Sequence, residues 1–332
     1  MSPAAETNMH IFRKRILTIG AGIIALVLVL MVLSRIFLPK DNTQEAGMEE
    51  TFANGILGEK EHTIDVLALG DSYSYFSTIP PEIWKAKGYT TYASGTNDQS
   101  LDYTMEMLRR VYRRQSPKVV YIESDTIFRE VSLFEETLDY LSVWLPIFRY
   151  HDRWKNLRKE DLFSKPEYTL TKIYKGYKYY SVCNPPEDLE KDLEKMQKTD
   201  RVEKVPPYCV QYIRRIKKFC DDHGAVLFFV TMPNVKYWDY SHHNGIQALA
   251  DEIGCDYVDM NVINDQIGID WSKDTCDGGD HLNHAGAVKS TRFLIDYLSG
   301  LNILEDHRGD PDYKQWDECL EKYEKQVKRE GS

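Results

Sequence analysis

The stretch Asp65-Val66-Leu67-Ala68-Leu69-Gly70-Asp71-Ser72 decides how the rest of the chain is read. Val66 to Leu69 is a short apolar run of the kind that forms a strand buried on both faces. It stops at Gly70, and a serine follows two residues later. A strand ending this way puts the hydroxyl at the carboxyl edge of a sheet, where open α/β sheets bind ligands. A serine there can also simply cap the next helix. The stretch Asp277-Gly278-Gly279-Asp280-His281-Leu282-Asn283-His284, near the other end, tips the reading toward chemistry. A nucleophilic serine needs a base, and the base needs an orienting carboxylate. One compact loop supplies both kinds of group.

The segments between these stretches alternate. Pro80-Pro81 opens a short helix closed by Gly88. Tyr89–Ser94 reads as a second strand ending at Gly95. A helix with Leu101, Met105, Leu108, Val111 and Tyr112 at helical spacing follows, then a third strand, Lys118–Glu123. After an aromatic, charged insertion over 125–208 the pattern resumes. It gives a helix over Cys209–Asp222, strand Ala225–Thr231, helix Asn244–Ile253, strand Asp256–Met260 and a last helix Ala285–Leu298. Strand–helix alternation predicts a three-layer α/β domain of about five parallel strands with right-handed crossovers. The insertion reads as covering the carboxyl edge of the sheet, or as a separate helical subdomain.

Ile16–Leu38 is long and apolar enough to approach the thickness of a bilayer. Arg13, Lys14 and Arg15 precede it, which places residues 1–15 in the cytoplasm and everything after the segment outside. The run is long for a signal peptide, and no small-x-small site follows before Arg35, so an uncleaved single-pass anchor over 16–38 is expected. Residues 39–60 read as a polar tether, 61–304 as the globular domain, and 305–332 as a charged helical tail with Trp316, Leu320, Tyr323 and Val327 on one face. A hydrophobic content of 42% supports a real core, while a net charge of −10 argues against a nucleic-acid partner. The six cysteines include no CxxC pair, so neither a metal nor a cofactor is expected. An extracytoplasmic site permits disulfides, whose pairing the sequence leaves open.

Gly70-Asp71-Ser72 after the first strand, Gly95 after the second, and an Asp/His loop before the last helix resemble the SGNH (GDSL) hydrolase superfamily. The resemblance spans about residues 64–300, interrupted in the middle. Asp280-His281-Leu282-Asn283 with Gly286, Lys289 and Tyr297 is similar to the membrane-anchored bacterial members in particular. It implies a flavodoxin-like sheet and a serine esterase or O-acyltransferase. Some of that group act on cell-surface polysaccharide or teichoic-acid-like polymers together with a membrane-bound O-acyltransferase. A catalytically inactive carbohydrate-binding or envelope-assembly scaffold that kept the fold is the alternative.

The implied roles make Ser72 the nucleophile and His281 the base, favoured over His284. The superfamily's aspartate stands three residues before the histidine, which here is Gly278, so Asp277 and Asp280 both remain candidates to orient His281. The backbone N–H groups of Ser72 and Gly95 are the implied oxyanion donors. The superfamily's asparagine after the third strand is missing, since that strand ends in Glu123-Ser124-Asp125. Asn97 or Gln99 could stand in for it. Glu123, an acceptor when ionised, could instead bind a hydroxyl or orient a donor. In the insertion, His151, Arg153 and Trp154 form a candidate substrate patch, with Arg153 for an anion and Trp154 for a sugar ring.

Overall fold

The computed structural model describes residues 3–330. In chain order its main elements are α1 (Pro3–Phe37), β1 (Val66–Gly70), α2 (Ser72–Ser77), α3 (Pro80–Lys87), β2 (Thr91–Gly95), α4 (Leu101–Val111), β3 (Val119–Glu123), α5 (Leu133–Trp144), α6 (Ile147–Tyr150), α7 (Pro207–Asp222), β4 (Val226–Thr231), α8 (Tyr240–Ile253), β5 (Asp256–Asp259), α9 (His284–Gly300) and α10 (Lys314–Glu330). By packing, the chain divides into two units. One joins the residues up to Met48 with Leu133–Glu167; the other joins Glu49–Ser132 with the residues from Tyr168 onward.

The second unit is built on a parallel sheet with strand order β2-β1-β3-β4-β5. β1, β2 and β3 are buried at every position, as their apolar runs require of central parallel strands. Successive side chains leave the sheet on opposite faces. Leu67, Leu69, Val120, Ile122 and Phe229 meet Met105, Leu108 and Val111 of α4 and Ile213 and Ile216 of α7 in one layer. Val66, Ala68, Val119, Tyr121 and Phe228 meet Tyr73 and Phe76 of α2, Ile83 of α3 and Leu294 and Leu298 of α9 in the other. The chain leaves β1 for β2 on one side and later returns to β3 on the other. The switch point therefore lies at the carboxyl ends of β1 and β3, the place where such sheets open a crevice.

Several boundaries differ from the sequence reading, each for a local reason. α8 starts at Tyr240 rather than Asn244 because the Asp239 carboxylate caps it, accepting from the N–H groups of Ser241 (2.8 Å) and His242 (3.1 Å). Residues 39–60 are not a tether throughout. Thr51–Asn54 and Gly55–Gly58 form helical turns whose Ala53, Ile56 and Leu57 are buried in the core that holds α4. In α10, Trp316, Cys319 and Tyr323 are buried, and the Trp84 indole N–H donates to Asp317 (3.0 Å). The insertion is not one piece: 133–167 packs with α1, whereas 168–208 belongs to the sheet unit. There the buried Lys175 ammonium pairs with Glu59 at 2.8 Å. All six cysteines are free thiols.

The first unit is organised by α1. Phe12–Phe37 is a helical stretch of 26 residues, long and apolar enough to cross a membrane. Its carboxyl end is tied down by Arg153, which is 4% exposed. The guanidinium Nη1 donates to the carbonyls of Ile36 (3.0 Å), Phe37 (3.1 Å) and Leu38 (3.1 Å). Nε donates to Ala46 O, and Nη2 to the Asp161 carboxylate at 2.6 Å. These are the orphan carbonyls that any helix leaves at its end, and a cation there also complements the helix dipole.

Candidate active site

Gly70 leaves β1 at φ +139°, in the region only glycine enters freely, and a Cβ there would lie 2.6 Å from the Cβ of Glu123. The turn aims Ser72 out of the sheet edge as the first residue of α2. Asp71 caps that helix, accepting from the Tyr73 N–H at 3.0 Å. Ser72 Oγ stands 2.7 Å from His281 Nε2, although 209 residues separate them.

His281 sits in a loop pinched by an antiparallel bridge between Thr275 and Leu282. The Cys276 N–H donates to His281 O at 3.0 Å, and Gly278 (φ +80°) and Gly279 (φ +87°) turn the tip. This left-handed pair bends the chain back so that Asp277, four residues before the histidine, reaches its ring. Asp277 Oδ2 lies 2.6 Å from His281 Nδ1, and Oδ1 accepts the His281 backbone N–H, also at 2.6 Å. A carboxylate there holds the proton on Nδ1 and leaves Nε2 bare to accept from Ser72. Burial raises the Asp277 pKa, but the two hydrogen bonds from His281 outweigh it and hold the carboxyl below its ordinary value.

Asp280 is the more distant acid, with Oδ2 at 3.6 Å from His281 Nδ1. Its other oxygen accepts from the Tyr73 hydroxyl at 2.5 Å. The Tyr73 ring stacks on the His281 imidazole with centroids 4.9 Å apart, and Phe76 lies at 4.6 Å. The imidazole is thus held by rings as well as by an acid. Sequence reasoning missed these two aromatic residues; the signal was their position one and four residues after the serine. His284 stands elsewhere: its Nδ1 lies 3.1 Å from the Tyr177 hydroxyl, and Tyr179 and Tyr323 pack on its ring. Burial lowers its pKa.

The remaining residues around Ser72 divide. A Cβ on Gly95 would lie 2.7 Å from Asp71 O and would meet Ser74 Oγ, so a glycine is needed for this close approach. Asn97 is exposed, and its Oδ1 accepts from the Tyr75 hydroxyl. Tyr75 neighbours Ser72, and burial, then Asp71, pushes its pKa up to about 12, so it serves as a neutral donor. Gln99 is spent inside the fold: its amide nitrogen donates to Thr104 Oγ1 (2.8 Å), and its oxygen accepts from Thr96 Oγ1 (3.2 Å). Glu123 is 1% exposed and hydrogen-bonds Asp71. Burial, then Asp71 and Asp125, pushes its pKa well up, and burial, then Asp125, pushes Asp71 up beside it, so the pair favours a shared proton. Cys276 is no competing nucleophile, since burial, then Asp277, pushes its thiol up to about 12.

His151, Arg153 and Trp154 belong to the unit of α1, not to the unit that carries Ser72. The reading of Arg153 as an anion-binding side chain is corrected by its burial, because every nitrogen of its guanidinium is engaged by protein oxygens. Asp277, Asp280 and His281 each bring one possible metal-ligand atom within 4.8 Å of the others. Of these groups, His281 Nδ1 is hydrogen-bonded to Asp277, and Asp280 Oδ1 accepts from the Tyr73 hydroxyl.

The sheet order, the serine after β1 and the acid–histidine loop before α9 form one arrangement. The fold is an α/β sandwich on a five-stranded parallel sheet, strand order β2-β1-β3-β4-β5. The sequence matches no family model and no curated protein. Among solved structures, it is similar to a GDSL-like lipase from Bacteroides thetaiotaomicron at 10% identity and a TM-score of 0.37, over 75% of this chain and 99% of that one. A Bacteroides fragilis protein described as an acylhydrolase matches at 11% identity and a TM-score of 0.37, over 75% and 93% of the two chains.

Proposed function

We propose that the sheet unit is a serine acyl-ester enzyme. The observation that carries this reading is the unbroken contact Ser72 Oγ–His281 Nε2–His281 Nδ1–Asp277, at 2.7 and 2.6 Å. Ser72 Oγ attacks the ester carbonyl while its proton passes to Nε2. The tetrahedral oxyanion forms against the backbone N–H groups of Ser72 and Gly95, with the Asn97 amide as a third donor. Collapse breaks the bond to the leaving oxygen, which takes the proton from Nε2, and an acyl-Ser72 remains. Water or an acceptor hydroxyl then gives its proton to Nε2 and attacks the acyl carbon. The product is a free acid or a new ester, and the serine is restored. Asp277 stabilises the imidazolium in both halves.

The substrate we propose is a small acyl group, acetyl-like, on a cell-envelope glycopolymer, transferred or removed outside the cytoplasm. The support is α1 with its basic flank and the clamp of Arg153 on the helix end, which fits a retained anchor better than a cleaved leader. A multi-span acyltransferase in the same membrane would be a natural donor partner. A fluorophosphonate probe tests the enzyme reading: labelling of the wild type and its loss in Ser72→Ala support it, whereas an unlabelled wild type leaves an inactive scaffold. Supplying an acyl-donor ester with and without envelope oligosaccharide separates the two reactions; free acid alone would sink the transfer reading.

A further inference from the structure

We infer that the segment Leu133–Glu167 is a membrane-interface module, whose exposed aromatic face lies in the headgroup layer of the bilayer that α1 spans. This rests on the proposed anchor and goes beyond it. Of the six tryptophans in the chain, Trp84, Trp238, Trp271 and Trp316 are at most 5% exposed, while Trp144 and Trp154 are 72% and 62% exposed. Both lie in this segment, together with Phe134 (72%), Tyr140 (59%) and Phe163 (82%). Large rings left in water at this density mark a surface with a partner.

On α5 the exposed rings are not scattered. Tyr140 and Trp144 are four residues apart and Phe134 is ten before Trp144, so the three rings fall within about a third of the helix circumference. Glu135 falls on the other side, and Glu136, four residues before Tyr140, borders the ring face. Such a helix lies in the plane of an interface, rings inward and acids to water.

The identity of the occupant follows from what the module is built on. α5 packs on α6, and α6 packs on α1. The Ile147 N–H of α6 donates to Ser34 Oγ at 3.3 Å, three residues before α1 ends. The turns His151–Asn156, with Trp154, and Lys159–Leu162, next to Phe163, also pack on α1. The apolar run of α1 is Ile16–Leu33, 18 residues, with Arg13, Lys14 and Arg15 before it and Arg35 just after it. At the helical rise that run is about 27 Å, enough to fill most of a hydrocarbon core of about 30 Å, so the turn from Ser34 and Arg35 onward lies at its edge. The end of α1 therefore emerges among headgroups, and the module tied to it sits at that depth. Tryptophan and tyrosine are the residues that favour this layer.

The test uses the full chain in phosphatidylcholine nanodiscs, plain or with bromine near the top of the acyl chains. Bromine quenches tryptophan fluorescence only on contact. Wild-type emission should drop in brominated discs, and Trp144→Phe/Trp154→Phe should lose most of that drop while staying in the discs. Equal emission in plain and brominated discs, with the chain retained, would overturn the interface assignment and leave the anchor standing. A chain that does not enter discs at all would overturn both.

Discussion

At the scale of single residues, two acids compete for one imidazole, and their distances separate them. Asp277 is 2.6 Å from His281 Nδ1 and Asp280 is 3.6 Å away with its other oxygen committed to Tyr73. Asp277→Asn should lower kcat on a nitrophenyl ester by about 10⁴-fold, the cost of the wrong imidazole tautomer. Asp280→Asn should lose far less, and Tyr73→Phe less again. Equal losses in the two aspartate variants would reverse the assignment. Glu123 gives a prediction about stability. Its folded pKa is raised, so the proton it holds in the fold contributes stability below its unfolded value, and that contribution is lost as pH rises. Glu123→Gln keeps a donor for Asp71 without the titration. It should raise stability near neutral pH and flatten its fall with rising pH, measured by denaturant melts across that range. Ser72 and His281 were legible in the sequence because a strand end and a helix start flank them. The choice of Asp277 was not, because it depends on two left-handed glycines whose turn no spacing rule encodes.

At the scale of elements, the strands were the most readable feature and the connections the least. The apolar runs of β1, β3 and β4 admit no other use, since each is too short for a helix and carries no polar face. Residues 39–60 misled because their glutamates and glycines read as a tether. The apolar trio Ala53, Ile56 and Leu57, at helical spacing, was the overlooked signal. The turn after β1 depends on a missing side chain. Gly70→Ala should abolish esterase activity and cost roughly 1–3 kcal/mol, because it combines a disfavoured φ with a clash against Glu123. Native expression with unchanged activity would contradict that. At the end of α1, Arg153→Met removes the donor to four carbonyls and takes the cationic partner from the buried Asp161. A loss of about 3–5 kcal/mol, read as protease cleavage after residue 38, is expected.

At the scale of the whole molecule, the sequence separates a membrane-length helix from a sheet domain, and the structure redraws where the insertion belongs. Residues 133–167 join α1, while 168–208 join the sheet. No period or composition shift marks that division, since both halves are aromatic and charged. Packing alone decides it, through Arg153 in one case and the buried Lys175–Glu59 pair in the other. A chain starting at Glu49 with 133–167 replaced by a short linker should therefore fold and keep its esterase activity in solution. Aggregation of such a chain would show that the units need one another. The central claim is that Ser72 carries the acyl group. Acid-quenched mixtures with nitrophenyl acetate, followed by peptide mass spectrometry, test it most directly. One acetyl group on the peptide containing Ser72, absent in Ser72→Ala, is the predicted result; turnover with acetyl on another residue, or with none at any quench time, would contradict it.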